Sequence, residues 1–99
     1  MPRFDLHRRP SEPGYLLNVQ HDFYDHLPTR VVIPVLPRSA GLPTLGDLTP
    51  QVEIEGEPHI LFPPYLAAVP KRELGRSVAN LEEHRDAVTK ALDLLLTGF

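Results

Sequence analysis

All twelve prolines of this 99-residue chain lie at or before Pro70, and none follows. A proline fixes φ and removes a backbone donor, so it is kept out of helix interiors and central strand positions. The first seventy residues are therefore held to short strands and turns, while the last thirty are free to be helical. Strands followed by a helix predict an α+β, mainly β architecture, or a small barrel. The length allows one modest core, so residues 1–99 read as a single domain, β-rich over 1–70 with a C-terminal helix at about 80–96.

The segment Ser77 to Phe99 carries that helix. Asn80 is a candidate N-cap, with Glu83 three residues on completing a capping box. Leu81, His84, Val88, Ala91, Leu92 and Leu95 fall at helical spacing and make one apolar stripe. Glu82, Glu83, Arg85, Asp86, Lys90 and Asp93 cover the other side. Gly98 is a stop, because glycine readily takes the left-handed conformation that ends helices. The last turn is apolar nearly all the way round, and one face of it cannot meet the protein's own core. Either a neighbouring loop covers Leu94 and Leu96, or the C-terminus forms a subunit or partner interface.

Upstream, residues 3–8 alternate and suit a first strand, and residues 15–20 a second. Residues 21–28 form a polar connection that carries Phe23 and Tyr24. The run Arg30 to Leu36 (RVVIPVL) is the strongest strand signal, of the kind buried on both faces, and Pro34 within it implies an edge position or a bulge. Residues 37–50 read as loop, 51–62 as a hairpin turning at Gly56, 66–69 as a further short strand, and 71–75 as a connector into the helix.

Composition narrows the function classes. With 41% hydrophobic and 23% charged residues the chain is ordinary globular material, and no apolar run approaches the ~20 residues that span a bilayer. The N-terminus lacks the apolar core of a signal peptide. The absence of cysteine excludes thiol and disulfide chemistry and agrees with a cytoplasmic location. A net charge of −3 argues against direct nucleic-acid binding, because phosphate neutralisation supplies much of that affinity.

The five histidines, at 7, 21, 26, 59 and 84, do not form the tight pairs of a zinc site, so no metal or cofactor is expected. Ser11, Ser39 and Ser77 lie outside any Gly-x-Ser-x-Gly turn, and the six glycines form no phosphate loop. The enzyme reading that remains is a ribonuclease of dispersed Arg, Asp and His. What exceeds structural need is a set of aromatic and apolar groups on expected surface: Phe23, Tyr24, Leu94, Leu96 and Phe99. Exposed aromatics of this kind make protein–protein hot spots, although Phe23 or Tyr24 could equally plug a core.

Several stretches then resemble the CcdB family of toxins along nearly the whole chain: Tyr15-Leu16-Leu17-Asn18-Val19-Gln20-His21-Asp22, Arg30-Val31-Val32-Ile33-Pro34, Pro50 with Val52-Glu53-Ile54, Ala67-Ala68-Val69-Pro70, and Val78-Ala79-Asn80-Leu81. A helix of matching length and Gly98 before an apolar last residue complete the likeness. The resemblance implies a small SH3-like barrel or antiparallel sheet with a C-terminal α-helix, assembled as a homodimer, and the apolar last turn makes Leu94, Leu95 and Leu96 the expected dimer contact. It implies a non-enzymatic, cytoplasmic toxin that binds the DNA gyrase A subunit, traps the cleaved-DNA complex and is neutralised by a CcdA-like antitoxin. The implied gyrase contacts are Phe23, Tyr24, Asp93, Thr97, Gly98 and Phe99. This chain has Thr97 where well-known members carry tryptophan, and a threonine supplies no rigid aromatic anchor. A binding module of the same fold that no longer poisons gyrase, or a ribonuclease, are the alternatives.

Overall fold

A computed structural model describes residues 2–99. It contains seven strands, β1 (Asp5–Arg8), β2 (Tyr15–Asn18), β3 (Thr29–Pro37), β4 (Gln51–Ile54), β5 (Glu57–Leu61), β6 (Ala67–Pro70) and β7 (Ser77–Asn80), and one helix, α1 (Arg85–Thr97). All strand pairings are antiparallel, in the order β4-β5-β3-β2-β1-β7 with β6 added to β3. The sheet curls into a half-barrel, and α1 follows it, its Val88 joining the core residues of the sheet. The α+β, mainly β architecture is the one the proline distribution predicts.

β3 organises the sheet. Along one side it pairs with β2 over Val32–Val35; along the other it pairs first with β6 over Thr29–Val32 and then with β5 over Val35–Pro37. Pro34 was expected at an edge or bulge, yet the strand is central. The proline is accommodated because it falls where the second side passes from β6 to β5. Its carbonyl accepts from the Phe62 N–H at 2.9 Å, and its missing donor faces that same break. Val32, Ile33, Val35 and Leu36 are all buried, so both faces of β3 are covered, as a continuous apolar run requires.

The hairpin at 51–62 turns on Glu55 and Gly56, at φ 53° and 79°, the two positive values that a two-residue type I′ turn needs. The first strand begins at Asp5 and not at residue 3, because Phe4 takes φ 72°. That conformation costs a bulky residue about 1–2 kcal/mol. It is held by the Phe4 N–H donating to the Asn18 carbonyl at 2.7 Å and the Phe4 carbonyl accepting from the Leu81 N–H at 2.9 Å. The ring is buried with Leu6, Leu17, Ile33, Val35 and Leu61 in the main core.

The helix starts later than its sequence suggests. Ser77–Asn80 is strand, paired with β1 through a bulge between Leu6 and His7. A 3-10 turn covers Glu82–His84 before α1. Asn80 is therefore not the N-cap: its Oδ1 accepts from the Glu82 N–H at 2.9 Å, while its Nδ2 donates to the Arg3 carbonyl and to Asp5 Oδ1. The apolar stripe holds, since Leu81, Val88 and Ala91 are buried and His84, Leu92 and Leu95 are half-buried. α1 packs on the turns Gly46–Leu48 and Pro63–Tyr65, with Lys90 paired to Asp47 at 3.0 Å on the surface.

Candidate functional site

Two exposed aromatic features stand out, and they are built differently. The first is the 3-10 turn Asp22–Tyr24 between β2 and β3. Phe23 is 73% exposed and Tyr24 49%, and their rings meet edge to face at 5.1 Å. They pack on each other and leave most of their surface in water, which rules out the core-plug alternative for both.

Their backbone is tightly held. His21 Nδ1 accepts from the Phe23 N–H at 3.0 Å, and Asp22 Oδ1 accepts from the Arg3 N–H at 2.7 Å. Gln20 spans two elements, Nε2 donating to the Tyr24 carbonyl and Oε1 accepting from the Val31 N–H, each at 3.0 Å. Beneath lies Arg30, 1% exposed. Its Nη1 donates to the Leu27 and Thr29 carbonyls at 2.7 and 2.8 Å; its Nη2 donates to the Asp25 carbonyl and to Asp25 Oδ1 at 2.6 and 2.7 Å. A buried guanidinium is tolerated only when paired and hydrogen-bonded, and four of its bonds end on the segment that follows the aromatic pair. Its Nε is buried with no hydrogen-bond partner among the described residues. Partial loss of water raises the Asp25 pKa, but neighbouring cations, Arg30 and Lys71 among them, outweigh this and hold the carboxyl below its usual range.

The second feature is the chain end. Gly98, at φ 85°, caps α1, its N–H donating to the Leu94 carbonyl at 3.1 Å. The Thr97 hydroxyl lies 2.6 Å from the Asp93 carbonyl and 3.1 Å from the Phe99 carbonyl, its proton shared between them. Thr97 thus spends its polar group on the backbone and shapes the tail, presenting no aromatic surface of its own. Phe99 is 91% exposed and Leu96 is exposed, whereas Leu94 and Leu95 are half-buried. Asp93 is exposed one turn back.

Phe23 and Tyr24 are thus brought together, as are Asp93, Thr97, Gly98 and Phe99, but the turn Asp22–Tyr24 is not among the main packing partners of α1. The sequence reading missed the brace of Gln20, Asp25 and Arg30. One signal could have found it: an arginine heading an otherwise apolar strand, five residues after an aspartate. Among the described residues no three His, Asp or Glu side chains converge to hold a metal, and no helix is long and apolar enough to cross a membrane. What this arrangement can do is present rigid aromatic surface to a macromolecule.

No curated protein matches the chain. A family model described as CcdB protein matches residues 3–98, nearly all of the sequence, and by that match the chain belongs to the CcdB family.

Proposed function

We propose that this protein is a toxin of a toxin–antitoxin pair that binds the gyrase A subunit and stabilises the cleaved-DNA complex. It is not itself a catalyst; a CcdA-like antitoxin neutralises it, and its site of action is the cytoplasm. The observation that carries this reading is the pair of aromatic features, Phe23 with Tyr24 and Phe99, exposed on backbone that hydrogen bonds hold in place. Pre-ordered aromatic surface suits binding because little conformational freedom is lost on docking.

Phe23, Tyr24 and Phe99 supply the apolar contact, Gly98 and Thr97 set the path of the tail, and Asp93 adds a charge at the rim. The protein acts as a homodimer, with Leu94, Leu95 and Leu96 at the subunit contact, so that a two-fold symmetric toxin meets a two-fold symmetric target. Family membership supports the target class, and the inward-bonded Thr97 moves the aromatic load of the tail onto Phe99.

The test is a supercoiling and DNA-cleavage assay with gyrase of the host and purified full-length protein. Stabilised double-strand cleavage is expected, and a variant with Phe99→Ala and Tyr24→Ala should lose it. No cleavage from folded, dimeric protein would overturn the gyrase reading and leave a binding module of the same fold with another target.

A further inference from the structure

We infer that the mouth of the half-barrel is a second protein-contact surface, one that takes an extended cationic segment of a partner polypeptide. The two ends of the sheet path are β4 and β7, each paired with a single neighbour among the described residues. Each therefore presents one row of unpaired backbone N–H and C=O groups, the template on which another strand can form. Both ends line one groove of about 230 Å³. Of its lining residues, Leu6, Tyr15, Ile54 and Leu81 are buried and make an apolar floor, while the exposed Glu53 and Glu55 at β4 and the exposed Glu83 after β7 give it an acidic rim. Val78, at the bulge of β7 against β1, adds an exposed apolar side chain to the same wall.

Strand addition draws affinity from main-chain hydrogen bonds and specificity from alternate side chains. The charge of the rim selects the occupant here. Glu53 has no cationic partner among the described residues. Glu55 is met by Arg8 at 3.6 Å, and Glu83 by the adjacent His84 at 3.8 Å. No lysine or arginine lines the groove. Successive side chains of a strand point to opposite faces, so a segment alternating Lys or Arg with apolar residues lays the apolar set on the floor and the cations along the rim. An acidic segment meets like charge. None of Phe23, Tyr24, Thr97, Gly98 and Phe99 lines the groove, so the inference stands apart from the gyrase reading.

The full-length protein is titrated with a fluorescein-labelled Lys-Val-Lys-Val-Lys-Val peptide and with its Glu-Val counterpart. A saturable rise in anisotropy is expected with the first and none with the second. The backbone amides of residues 52–54 and 78–80 should gain protection from hydrogen exchange. Charge reversal on both sides of the groove, Glu53→Lys with Glu83→Lys, should weaken binding roughly tenfold or more. Both side chains are exposed, so thermal unfolding should not move. Absence of saturable binding, binding indifferent to the double reversal, or protection that appears instead over residues 82–86 would each overturn the proposal.

Discussion

The aromatic turn and the aromatic tail offer similar chemistry on unlike supports. Phe23 and Tyr24 sit on a turn pinned from below by a buried arginine and from the side by Gln20, His21 and Asp22. Phe99 sits beyond the last residue of a helix, held by the Gly98 cap and the Thr97 hydroxyl. The turn's geometry is thus tied to the stability of the sheet, because Arg30 heads β3. The tail's geometry is tied only to the final turn of α1. Damage to the turn's support should unfold and inactivate together, whereas damage to the tail should inactivate alone.

The largest separation comes from removing Thr97 to Phe99. On the proposed gyrase reading, poisoning should be lost completely, while the urea midpoint and slope stay near those of the full chain, because the removed side chains are exposed. A deletion variant that unfolds would show that the tail is part of the core after all. A variant that keeps full poisoning would remove the tail from the contact surface.

Arg30→Met tests the opposite limb. Methionine fills part of the space but leaves the carbonyls of Asp25, Leu27 and Thr29 without the bonds they now make. Loss of a buried, multiply bonded charge should destabilise the fold by about 3 kcal/mol, read as a lower urea midpoint at unchanged slope. Target affinity should fall with it. A stable Arg30→Met variant with weakened binding would mean that the brace orders the turn without supporting the sheet.

Much of this was legible from local sequence. The proline distribution separated sheet from helix, the spacing of Val88 and Ala91 marked the buried face of α1, and Phe23, Tyr24 and Phe99 were recognisable as surplus apolar surface. The failures share a cause. β7 was hidden because Ser77–Asn80 reads as a helix approach, and the bonds that make it a strand reach from Asn80 to Arg3 and Asp5, more than seventy residues away. Pro34 pointed to an edge because the break between β6 and β5 depends on how two distant segments share one strand. Phe4 gave no sign of a left-handed backbone, since that conformation is imposed by partners at Asn18 and Leu81. The brace of Arg30 was invisible for a different reason: a charge number does not tell whether a side chain folds under a turn or points into water.

Single truncations in the turn should have intermediate effects. Phe23→Ala and Tyr24→Ala should each weaken target binding by about 1–2 kcal/mol, the range of a hot-spot contact, with stability changed by less than about 0.5 kcal/mol for such exposed groups. Binding by isothermal titration and unfolding by urea are read on the same samples. Equal losses of binding and stability would show that the ring pair supports the turn rather than the contact.

The smallest expected effect distinguishes the two regions by pH. Asp25 has its carboxyl held below the usual range in the folded protein, so the unfolded chain binds this proton more readily than the native one. By linkage its contribution to stability is complete above the ordinary aspartate range and is lost as pH falls through the lowered native value. The carboxylate is partly exposed (41% of the side chain) and solvent screens it, so the change is modest and local. Protonation removes one charge-assisted bond to Arg30 but leaves the bonds of that arginine to three carbonyls in place. Below about pH 4, the amide exchange of residues 22–27 should therefore quicken ahead of global unfolding, and Asp25→Asn should show the quickened exchange already at neutral pH. The tail is held by a hydroxyl and backbone groups alone, so residues 97–99 should show no such step. A step of equal size in both regions would mean that acid loosens the molecule as a whole, and the division between an anchored turn and a capped tail would fail.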